Sequence, residues 1–191
     1  MTKRTATASV RNNTSEPLVA VSVVHKYSDN YKHEGAWGII QPGELGEEPM
    51  EVEYNTGAFT TGRDWWVVTF YSPDMETLYY SDPANFRGIF DSLEEVAPDM
   101  ISAAAGAIAG LAGSLSGPGA VGAAVAAAAA AKATTASLFN SEGTEGFKQH
   151  ILREEDEDAL TEIVINADRT ITFKSNSGNS DTVTSSKPAK K

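Results

Sequence analysis

A mainly β protein carrying an inserted pair of helices is the fold class that the 191-residue sequence predicts, on three observations. Short runs of β-branched and aromatic residues recur between Asn, Asp, Pro and Gly clusters, the spacing of an antiparallel β-sandwich. One segment, 101–137, breaks that rhythm with 17 Ala and 6 Gly, and no charged residue falls between Asp99 and Lys132. The length suits one domain whose core needs no covalent staple.

The elements follow in order. Residues 5–12 and 18–27 read as a hairpin, with Leu18 to Val24 rich in β-branched side chains and Asn12 to Pro17 as its turn. Ser28 to Gly35 reads as a loop, and Trp37 to Ile40 as a short strand stopped by Pro42-Gly43. Met50 to Tyr54 alternates apolar residues with carboxylates, the pattern of a half-buried strand. Trp65 to Tyr71 is apolar on both faces and predicts a central strand, with Thr77 to Tyr80 returning as its partner. Beyond the alanine-rich segment, Phe147 to Leu152, Thr161 to Ile165 and Thr170 to Phe173 read as strands, the last two joined at Asn166 to Arg169. Residues 1–175 therefore form a single predicted β-sandwich domain with a helical hairpin insertion at about 97–139. Residues 176–191 have too little apolar surface to offset chain entropy and predict a flexible tail, made basic by Lys187, Lys190 and Lys191.

The insertion predicts two helices of about 18 residues joined at Gly117-Pro118-Gly119. At 3.6 residues per turn, Ile101, Ile108, Leu111 and Leu115 share one face. Ser102, Gly106, Gly110 and Ser114 share the opposite face, smooth enough for another backbone to approach closely, and they are the candidate self-association face. Bilayer entry is the competing reading. Lys132, seven residues after Val125 on the same stripe, opposes it, because a Lys at mid-membrane costs about 2.5–3.5 kcal/mol.

Composition narrows the chemistry. With no cysteine, disulfides, thiolate metal sites and a cysteine nucleophile are excluded. Fifteen basic against 26 acidic side chains give a net charge of −11, which argues against a nucleic-acid partner. The N-terminus lacks the apolar run of a secretory signal, so a cytoplasmic location is expected. His25, His33 and His150 have no metal-ligand spacing and read as structural or solvent-exposed. The acidic run Glu154 to Asp158 lacks the calcium-loop pattern. No nucleophile elbow, phosphate loop or dinucleotide fingerprint is present, so no enzyme activity, metal or cofactor is expected.

Aromatic residues carry the remaining signal. Trp65 and Trp66 are adjacent in a strand and must face opposite sides. One fills the core, and the other is covered by the protein, a partner or a ligand. Trp37, Arg63, Asp64, Trp65, Trp66, Tyr79 and Tyr80 are the candidate ligand-binding set, for a glycan or a membrane-lipid headgroup.

Several strings are specific enough to suggest a family. They are Val19 to Asp29, Thr61-Gly62-Arg63-Asp64-Trp65-Trp66, Tyr79 to Pro83 with Asn85-Phe86-Arg87-Gly88, and Gly146 to Leu152. Together they resemble the "Up-regulated in Daf" domain family of fungi and nematodes over about residues 6–175. The resemblance implies an aegerolysin-like β-sandwich, dimeric association and no known reaction. The expectation is a non-enzymatic binding or self-associating protein, forming a homo- or hetero-oligomer. The alternative is a lipid- or membrane-directed protein, toxin-like or defensive, of the aegerolysin kind.

Overall fold

The computed structural model describes residues 1–27, 31–57, 64–82, 125–132 and 147–189. Among the described residues, ten strands run in chain order: β1 (Thr2–Asn12), β2 (Leu18–Tyr27), β3 (Tyr31–Ile40), β4 (Met50–Thr56), β5 (Asp64–Tyr71) and β6 (Thr77–Asp82), then β7 (Lys148–Gln149), β8 (Leu160–Ile165), β9 (Ile171–Ser175) and β10 (Gly178–Pro188). Helix α1 is described over 125–132, and a 3-10 turn spans Glu154–Asp156.

The strands join in the order β3-β2-β5-β6-β10-β9-β8-β1-β4, with β7 attached to β5. They make one mixed sheet nearly closed into a barrel, rather than the antiparallel sandwich expected from strand spacing. Spacing reports the presence of strands but not which edges meet. The ladder that departs from antiparallel is β1 with β8, in which Val10 faces Ile163 and Asn12 faces Ile165. The two ends of the path, β3 and β4, come together at a seam. There the Glu53 amide points at the His33 ring, and Cβ at Gly35 would lie 3.1 Å from the Met50 sulfur.

Alternation along the strands builds two apolar clusters. The interior one takes Val52 and Tyr54 of β4, Trp66, Val68 and Phe70 of β5, and Ile171 and Phe173 of β9. The outer one lies on the convex face of β2 and β5, where Val19, Ala20, Val24, Val67 and Tyr71 pack against Ala127, Ala130 and Ala131 of α1 and against Phe147. The run Leu18 to Val24 is apolar throughout because β2 is covered on both sides, and all ten of its residues are buried.

A bulge sorts that run. The β2–β5 register shifts between Val19 and Ser22, and Ala20 takes φ 47°. Leu18 and Val21 face the interior while Val19 and Ala20 both face outward, so the bulge changes which parity points inward.

Several expectations are corrected. β1 and β2 do not form a hairpin. Asn12 turns the chain away, its side-chain amide donating to the carbonyls of Glu16 (2.8 Å) and Ile40 (2.9 Å), and β2 pairs instead with β3 and β5. Of the loop expected over 28–35, the residues from Tyr31 onward belong to β3, and 28–30 lie outside the described residues. The strand expected over Phe147 to Leu152 is confined to Lys148–Gln149. Most of the expected flexible tail is β10, laddered to β9 over Gly178 to Thr182 and to β6 over Val183 to Pro188. Its side chains stay largely in water, so the strand is held by backbone hydrogen bonds that composition does not reveal. Of the predicted helical hairpin, 125–132 is helical; its first arm and its turn lie outside the described residues. Met50 to Tyr54, Trp65 to Tyr71 with its β6 partner, and the turn at Asn166 to Arg169 are found where the sequence places them.

Candidate functional site

Alternation divides the predicted ligand-binding residues between two faces. Asp64 and Trp66 point into the barrel and are fully buried, the Trp66 indole donating to the His150 carbonyl at 3.0 Å. Tyr79 also faces inward, stacked on Phe70 at 5.1 Å with the Arg169 guanidinium over its ring. Trp65 and Tyr80 face outward and pack on the cluster beneath α1. Trp37 is buried elsewhere, its indole donating to the Glu47 carbonyl at 2.6 Å, near Gly35 and Gly46. A Cβ at Gly46 would stand 2.8 Å from the Trp37 nitrogen, so the ring requires glycine there. Arg63 lies outside the described residues, as do Ser102, Gly106, Gly110 and Ser114.

The polar groups that do converge are different ones. His25 on β2, His33 on β3 and Asp64 on β5 meet inside the barrel, because cross-strand pairing sets His25 opposite both His33 and Trp66. His25 Nε2 donates to Asp64 Oδ1 at 2.9 Å, and the other carboxylate oxygen accepts the Leu152 amide at 3.0 Å. The His25 ring lies 4.3 Å from the Trp66 ring, and His25 Nδ1 faces His33 Nδ1 at 3.4 Å. His33 in turn reaches the surface, with Nε2 3.8 Å from Glu53, which is ion-paired to Lys3. One polar chain thus crosses from the buried Asp64 to the solvated Lys3.

Burial sets its electrostatics. Desolvation, then the neighbouring His25, pulls the His33 pKa down to about 4. The hydrogen bond from Lys3 holds the Glu53 carboxyl below its usual range. His150 is lowered by burial; its Nδ1 meets the Ser180 hydroxyl at 2.9 Å, and its Nε2 has no hydrogen-bond partner among the described residues. Among the described residues, no group of three or more His, Asp or Glu is arranged to hold a metal ion.

A second feature lies on the outside. A groove of 600 Å³ runs between the outer face of β3 and α1. Ala36, Gly38 and Ile39 line one side, Val125 and Ala128 the other, and Glu44, Glu47 and Glu48 stand at its rim. Val125 is 66% exposed at the lip.

Sequence reading passed over the histidine chain. The signal was the alternation Tyr31, His33, Gly35, Trp37, which continues β3 backward through the expected loop. Extending that strand puts His33 across from His25.

Fold and site together define a barrel-like β protein with a buried histidine–carboxylate chain at its seam. The chain matches the family model described as Up-Regulated in long-lived daf-2 over residues 2–184, and it belongs to that family. No curated protein matches it. Among the described residues, no helix is long and apolar enough to cross a membrane.

Proposed function

We propose that the protein is a non-catalytic binding module that associates with a second copy or another protein through the groove between β3 and α1. The observation carrying this reading is Val125, an aliphatic side chain left 66% exposed on the lip of an apolar-lined groove. Covering such a side chain contributes about 1 kcal/mol or more, and the small residues beside it let a partner backbone come close. In this reading α1 is part of the second arm of an Ala/Gly hairpin packed on the β body. The buried state of His25 and Asp64 supports a non-catalytic role, since neither side chain offers a surface to a substrate. A glycan- or lipid-directed role would rest on the aromatic set, which is split between two faces, so the groove is the better-supported surface.

Sedimentation velocity over a concentration series tests this. The expected result is a mass that rises with concentration, and a Val125→Glu variant that weakens association about tenfold, or about 1.4 kcal/mol. A wild-type chain that stays monomeric at about 100 µM and captures no partner through this face removes the reading.

A further inference from the structure

The two histidines meet head to head. Their centroids are 5.7 Å apart with planes inclined by 27°, while Nδ1 to Nδ1 is 3.4 Å. That centroid separation equals the nitrogen gap plus about 1.2 Å for each ring, so the two Nδ1 atoms lie on one line and point straight at each other. Each opposite nitrogen faces a carboxylate: His25 Nε2 toward Asp64, and His33 Nε2 toward Glu53. The Asp64 carboxylate, 2.9 Å away, keeps a proton on His25 Nε2, and the Glu53 amide aimed at His33 Nδ1 leaves that ring's own proton on Nε2. Two bare lone pairs would then face each other in a buried site, which is costly. A metal does not fit between them, because half the in-line gap is shorter than a metal–imidazole bond of about 2.0 Å. A proton does fit.

We infer that His25 and His33 share one proton through an in-line N–H···N bond, and that this bond is an acid-sensitive latch holding β3 at the seam with β4.

His33 is the movable member. Its Nδ1 also accepts the Glu53 backbone amide at 3.5 Å, a direct polar contact across the seam. A proton placed on that nitrogen takes up its single lone pair, turns an N–H against the Glu53 amide and sets two ring N–H groups nose to nose. Burial and the His25 charge delay that event to a pKa of about 4, below the ordinary value of 6.5. A group depressed in the folded state binds its proton more readily when unfolded. Stability from the latch is therefore complete above about pH 6.5 and declines as pH falls toward about 4.

Other charges face the pair. Lys3 on β1 opposes protonation of His33, and Glu53 on β4 favours it. Asp64 on β5 holds His25, and His150 beyond β7 interacts with both Asp64 and His25. Because His150 is also depressed, the acid response of the pair must be separated from it by mutation.

The test uses the full chain. Nitrogen-15 NMR of the imidazoles at neutral pH reads the proton directly: both Nε2 atoms protonated, and one of the two Nδ1 atoms protonated. Two bare Nδ1 atoms, or a bare Nε2 on either ring, overturns the inference. Hydrogen exchange at the Glu53 amide, corrected for the intrinsic pH dependence, then reads the latch. Protection in the wild type is expected to fall about tenfold for each unit that the pH drops below the unfolded His pKa. His33→Gln is expected to show equally weak protection across the range. A flat wild-type profile, or an acid step that survives in His33→Gln and disappears in His150→Gln, overturns the latch. The imidazole measurement needs no variant, so a poorly folding substitution does not shield the idea.

Discussion

At the residue scale, the Asp64 carboxylate holds two separate parts of the chain. It accepts the His25 ring on one oxygen and the Leu152 amide on the other, with essentially no exposure. The second contact ties the segment after β7 to the mouth of the barrel, so one carboxylate anchors both the histidine chain and the returning polypeptide. Removing it strands two donors in the interior. Asp64→Ala is expected to destabilise the fold by about 3–5 kcal/mol, the range for breaking a buried polar pair. Chemical denaturation checks this, and a loss below about 1 kcal/mol would mean that water replaces the carboxylate. The residue was legible in the sequence as the polar neighbour of two tryptophans, but as a ligand contact. Its burial follows from strand parity, which sends Asp64 inward with Trp66 and leaves Trp65 under the helix.

β2 shows at the element scale what a pattern reveals and what it hides. An unbroken apolar run signals a strand covered on both faces, and that inference holds. Which side chain meets which layer is hidden, because Ala20 at φ 47° inserts a parity change. The left-handed region costs an L-residue about 1–2 kcal/mol, and a β-branched side chain costs more. Ala20→Val is expected to lower stability by about 2 kcal/mol or more, through backbone strain and crowding beneath α1. Thermal unfolding measures it, and an unchanged melting temperature would show that the bulge relocates along the strand. The histidine pair was hidden for a related reason. Tyr31 to Gly35 is polar and aromatic, which resembles a loop, yet it pairs residue for residue with Val23 to Tyr27. Register emerges from the ladder, and a single strand's composition does not encode it. β10 makes the same point from the other side, since its mostly solvated side chains carry a loop-like composition while its first half is hydrogen-bonded to β9 and its second half to β6.

The whole molecule is divided by β10. On one side lie β3, β2, β5 and β6; on the other lie β9, β8, β1 and β4. The strand pairs Val183 to Pro188 with β6 and Gly178 to Thr182 with β9, so it joins two sub-sheets that otherwise meet across the interior and at the seam. A chain ending at Ser177 is expected to lose cooperative unfolding and to bind hydrophobic dyes, although it keeps nearly all of the interior apolar residues. Calorimetry and dye fluorescence check this. A truncated chain that melts in one sharp transition would show that the interior alone holds the halves together.

A nascent chain meets this arrangement as a problem of timing. On the ribosome, β6 emerges about a hundred residues before its β10 neighbour, and β1 waits still longer for β8. Until the late strands arrive, two backbone rims stand open and adhesive. Synthesis of this protein should therefore lean on chaperones that shield sheet edges, and slowing translation should lengthen the exposure rather than help the fold.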